Sequence, residues 1–81
     1  MLLPSKHLAT ERSILSVGSR IIACLKTPAT VSELWNRYAN LQRQLRLTPI
    51  GFDWFLLALA SMFAIGKIGY DEVTIWRENA P

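Results

Sequence analysis

The segment from Phe52 to Ile65 constrains this chain more than any other. Its fourteen residues include one charge, Asp53, and one hydroxyl, Ser61, and the rest are Phe, Trp, Leu, Ala, Met and Ile. It reads as a helix over 52–65, with Gly66 placed as its C-terminal cap. At about 100° per residue, Phe52, Phe55, Leu56, Leu59 and Phe63 gather on one side and are expected in the core. The other side holds Trp54, Leu57, Ala58, Ser61, Ala64 and Ile65, and it is nearly as apolar. A helix that is hydrophobic all round needs cover all round.

That cover is hard to find in 81 residues. A domain of this length buries roughly 60% of the surface its unfolded chain exposes. Its core rarely supplies more than about 3–5 kcal/mol, so small domains usually carry a staple. Cys24 is the only cysteine and His7 the only histidine, so neither an internal disulfide nor a four-ligand zinc site can form within the chain. With 51% hydrophobic and 19% charged residues, a partner protein is the expected staple.

The longest apolar stretch, Phe55 to Gly66, falls short of the roughly 20 residues that span a bilayer. Met1-Leu2-Leu3-Pro4-Ser5-Lys6 lacks the apolar run of a signal peptide. No membrane association is expected. A lone cysteine suits a reducing compartment, and the chain reads as cytoplasmic.

The remaining elements read as a single domain over 1–81. Residues 1–8 form a short apolar arm, broken by Pro4. A first helix spans 10–25, with Ile14, Leu15, Val17, Ile21, Ile22 and Leu25 on one face. Gly18 shares that face and permits close approach of another backbone. Thr27-Pro28-Ala29 breaks the chain. Thr30-Val31-Ser32-Glu33 is a capping box, which opens a second helix over 31–46. Leu34, Trp35, Tyr38, Leu41 and Leu45 are expected to point inward. Arg46 lies near the end, where a cation suits the helix dipole. After a loop containing Pro49 and Gly51 comes the third helix. A hairpin over 68–77 follows, with Asp71-Glu72 near its turn. The fold class is therefore mostly α with a small β-hairpin (α+β). Its order is that of a winged helix, in which the central helices form a helix-turn-helix and the hairpin is the wing.

Catalytic chemistry finds no footing here. Ser5 and His7 have no third group to orient them, Cys24 reads as a small core residue, and no phosphate-binding loop is present. Neither a cofactor nor a small-molecule substrate is expected. A base-reading role also fails, because the third helix has no Lys, Arg, Asn or Gln to meet base edges. Its second face is best explained by a protein contact through Trp54, Leu57 and Ile65. Cover by the arm or the hairpin is the blander alternative. Arg37, Arg43 and Arg46 on the second helix most simply form a solvated face. Salt-sensitive contact with a nucleic-acid backbone is their other reading. A DNA-binding regulator would add Lys67 and Arg77, and a self-associating domain would bury the second face on its own copy.

Three segments carry a family resemblance: Met1-Leu2-Leu3-Pro4-Ser5-Lys6-His7, Thr30-Val31-Ser32-Glu33-Leu34-Trp35, and Phe52-Asp53-Trp54-Phe55 through Leu59 to Phe63-Ala64-Ile65-Gly66-Lys67-Ile68. Together they resemble the sixth middle-component family of bacterial ABC-three component systems. The resemblance implies a non-catalytic subunit beside an SMC-like coiled-coil ATPase and a third, effector-like component, similar to Lamassu-type antiphage defence. In that setting Leu2 and Leu3 of the arm join Trp54, Leu57 and Ile65 as expected partner contacts. The family pattern has serine before the Phe-Asp pair, whereas this chain has Gly51. Thr48 as cap, with Pro49 as first residue, is therefore an alternative start to the third helix.

Overall fold

The computed structural model describes residues 13–78. The arm, with Leu2 and Leu3, lies outside them, as do residues 10–12 of the first expected helix. Helix α1 spans Ile14–Ala23. Ser13 is its N-cap, and its hydroxyl accepts the Ser16 N–H at 3.1 Å, which fixes the start of this helix at Ile14. It ends at Ala23, with Cys24 as C-cap, two residues before the expected Leu25. Helix α2 spans Val31–Gln44 and α3 spans Phe52–Ala64. Strands β1, Ile68–Tyr70, and β2, Ile75–Arg77, pair antiparallel, with Gly69 opposite Trp76.

The capping box forms as its sequence predicts. Thr30 Oγ1 accepts the Glu33 N–H at 3.2 Å, and Glu33 Oε1 accepts the Thr30 N–H at 2.9 Å. Just upstream, Ala29 exchanges two backbone bonds with Ile75, at 2.9 and 2.7 Å. This single bridge adds a third member beside β2, so the segment entering α2 is sewn to the hairpin. The result is a winged-helix-like arrangement of three helices and a hairpin among the described residues.

Both α2 and α3 stop in the same way. At the end of α3 the Lys67 N–H reaches the Met62 carbonyl and the Gly66 N–H reaches Phe63, with Gly66 at φ 83°. At the end of α2 the Leu47 N–H reaches Gln42 and the Arg46 N–H reaches Arg43, with Arg46 at φ 54°. Each is a Schellman motif, which needs a left-handed residue just past the helix. Leu45 and Arg46 therefore lie beyond α2, and Leu45 is exposed rather than inward. The start of α3 is equally definite. Gly51 is the N-cap without a side-chain bond, and the Phe55 N–H closes the first turn on the Gly51 carbonyl at 3.1 Å. The alternative start at Thr48-Pro49 is not taken. Ile50 is buried there, and its N–H is held by Gln42 Oε1 at 3.1 Å.

The core takes Val17, Ile21 and Leu25 from α1 and its end, Leu34 and Tyr38 from α2, and Ile68 and Ile75 from the hairpin. From α3 it takes Phe55, Ala58, Leu59 and Met62. This corrects the expected core face. Phe52, Leu56 and Phe63 are exposed, and so is Leu15 of α1. The cause is the α1–α3 crossing. Gly18 is buried, and a Cβ on it would lie 2.5–2.8 Å from Met62 side-chain atoms. Close approach there turns the Ala58 and Met62 side of α3 inward together with Phe55 and Leu59, and leaves Phe52, Leu56 and Phe63 on one flank.

Candidate protein-binding surface

Helix α3 buries one strip and leaves two apolar flanks in solvent. On one flank Trp54 is 37%, Leu57 50% and Ile65 57% exposed. All three expected partner contacts within the described residues therefore share a surface. The one hydroxyl on this flank is neutralised internally, since Ser61 Oγ donates to the Leu57 carbonyl at 2.9 Å. The flank thus offers carbon and an indole, with little to hold water.

The other flank is one the sequence reading assigned to the core. Leu56 is 39% and Phe63 47% exposed, and both face the hairpin across a groove of about 410 Å³. Tyr70 and Val73 supply the opposite wall. Phe63 meets Tyr70 edge to face, with ring centroids 4.7 Å apart, which ties helix to hairpin. At the N-terminal end of the same flank Phe52 packs on Trp35 at 5.2 Å, extending an aromatic cluster centred on Phe55. Nothing in the pattern of an all-round apolar helix could have separated groove from core.

The cations are arranged differently from the expectation. Arg37 is half-buried. Its Nη1 donates to the Cys24 and Thr27 carbonyls at 3.1 and 2.8 Å, and its Nη2 donates to Pro28 at 3.4 Å. It therefore locks the α1–α2 connection, with both guanidinium NH2 groups bonded to the chain's own backbone. This corrects its placing on a free basic face. Arg43 is exposed and bonds Asn40 Oδ1, while Arg46 is exposed at the left-handed position past α2. Lys67 and Arg77 lie at the base of the hairpin and are exposed.

Two titratable groups carry shifted pKa values. Burial pushes the Cys24 thiol up, and the Arg37 charge only partly offsets it, so the thiol stays protonated and unreactive near neutral pH. The Asp71 carboxyl is held below its usual range, first by the Thr74 N–H and then by the Val73 N–H. Its role is to close the hairpin turn. Among the described residues no three His, Cys, Asp or Glu side chains come together, and no helix is long and apolar enough to cross a membrane.

A family model described as ABC-three component (ABC-3C) system Middle Component 6 matches residues 3–75. The chain belongs to that family. No curated protein and no solved structure matches it. A Middle Component 6 protein is one part of a multi-component system, which implies partner proteins.

Proposed function

We propose that this middle component is a non-catalytic accessory subunit. It binds an SMC-like ABC ATPase, or the third component encoded with it, in a cytoplasmic bacterial complex that acts against phage or plasmid DNA, similar to the Lamassu type. One observation carries the reading. In an 81-residue chain the most apolar helix leaves Trp54, Leu57 and Ile65 in solvent, where a DNA reader would carry Arg, Asn or Gln. Family membership supports the setting. Leu2 and Leu3 of the arm join the same contact in this proposal.

The test is a pull-down with the ATPase encoded beside this chain. Trp54→Asp and Leu57→Asp change exposed positions, and circular dichroism checks that both variants still fold. Loss of a central anchor costs about 2 kcal/mol or more, roughly thirtyfold in affinity. Folded variants that hold the ATPase as tightly as the wild type would place the contact elsewhere.

A further inference from the structure

The groove between α3 and the hairpin has a chemistry of its own. Its helical wall is Leu56, Ala60 and Phe63, and its hairpin wall includes Tyr70 and Val73. The charged lining residues are Asp71 and Glu72, both at the hairpin turn. The chain as a whole has nine Lys and Arg against six Asp and Glu, yet among the described residues no cation lines the groove. Apolar walls with an acidic end fit an apolar segment that carries a positive charge. A small polar ligand would need convergent donors, which this lining lacks. An added strand is a poor fit, because β1 is only three residues long. Recognition through side-chain walls is the helix-in-groove mode.

We infer that this groove is a second docking site, which receives an amphipathic helix of a partner polypeptide. The helix lays an apolar row on Leu56, Phe63, Tyr70 and Val73 and sets a Lys or Arg against Asp71 and Glu72. The site rests on the accessory-subunit reading above. It differs from the Trp54 flank, since Leu56 and Phe63 stand on the other side of the buried Phe55–Met62 strip. A subunit with both sites grips two segments on opposite sides of one helix.

The test uses the full chain with the purified ATPase and the purified third component, titrated separately at about 50 and about 300 mM salt, where an exposed charge pair is screened to different degrees. Leu56→Glu places a charge in the wall. Glu72→Lys reverses a charge in an exposed turn with no packing change. For one of the two subunits, Leu56→Glu is expected to weaken binding about tenfold or more. Glu72→Lys is expected to weaken it about fivefold at low salt and less at high salt. Asn36→Ala, on the exposed side of α2 and outside the groove lining, should leave that same binding within about twofold. Wild-type binding that neither groove variant changes overturns the groove while leaving the subunit reading intact. Wild-type chain that binds neither subunit overturns both. A wild-type dimer in sedimentation that Leu56→Glu dissolves would make the occupant a second copy and also overturn the proposal.

Discussion

Arg46 occupies a backbone position that chemistry reserves for glycine. Its φ of 54° is the only positive value outside glycine among the described residues. A left-handed residue with a Cβ costs roughly 1–2 kcal/mol, partly offset because glycine loses more chain entropy on folding. Arg46→Gly is therefore expected to stabilise the domain by about 0.5–1 kcal/mol, read as a later urea midpoint with an unchanged slope. An unchanged or earlier midpoint would mean that the arginine side chain makes up the strain. The equivalent position after α3 is Gly66, and glycine there announces the helix end in the sequence. Arginine announces nothing, so the pattern reads as helix through Arg46, two residues beyond the Gln44 end. Asp71 makes a different kind of residue-scale case. Its carboxylate accepts the Val73 and Thr74 N–H groups at 3.0 and 2.9 Å, which holds its pKa down. A group lowered in the folded state stabilises it above the unfolded pKa, and this contribution is lost as pH falls through the folded value. The hairpin turn should accordingly stay closed down through about pH 4 and loosen below it. Amide shifts of Val73 and Thr74 followed from pH 6 to 2 would report the midpoint. A midpoint at or above the ordinary aspartate value would contradict the turn geometry.

At the scale of elements, the α1–α3 crossing sets which face of α3 is core. Helix propensity alone favours Gly18→Ala by about 1 kcal/mol. The crossing opposes it, because the new Cβ would stand 2.5–2.8 Å from Met62 Cε, Sδ and Cγ. Overpacking of that kind costs about 1–3 kcal/mol. The net expectation is a loss of about 1 kcal/mol for Gly18→Ala, measured by urea denaturation. The same change made on a Met62→Ala background should become a gain of about 1 kcal/mol, since the obstructing side chain is gone. A penalty that persists in that background would assign the cost to backbone rather than to Met62. The crossing also explains what the sequence could reveal. The start of α2 was legible, because Thr30 and Glu33 have side chains whose bonds define a helix start. The hairpin was legible because β-branched and aromatic residues flank an Asp-Glu turn. The rotation of α3 was hidden, because Phe52, Leu56 and Phe63 are as apolar as Phe55, Leu59 and Met62. Only the close approach at Gly18 tells them apart, and it joins residues 44 positions apart. The same ambiguity hid the groove. The exposure of Trp54, Leu57 and Ile65 was legible, because only the arm or the hairpin was left to cover their side of the helix.

For the whole molecule, small size and exposed carbon have a joint consequence. A core of this scale leaves only about 3–5 kcal/mol of stability, so any partner that binds the folded state alone becomes a large share of the total. A partner at about 100 times its dissociation constant adds about 2.7 kcal/mol. In a domain of this length each kcal/mol moves the melting temperature by about 4–8 °C, so saturation should raise it by roughly 10–20 °C. Differential scanning calorimetry of the chain with and without its ATPase measures this directly. The shift also separates the two flanks of α3. If one partner segment lies on the Trp54 flank and another in the groove, Leu57→Asp and Leu56→Glu should each remove part of it and together nearly all. If a single flank carries the whole shift, the other is bare in the complex, and the chain holds one segment rather than two.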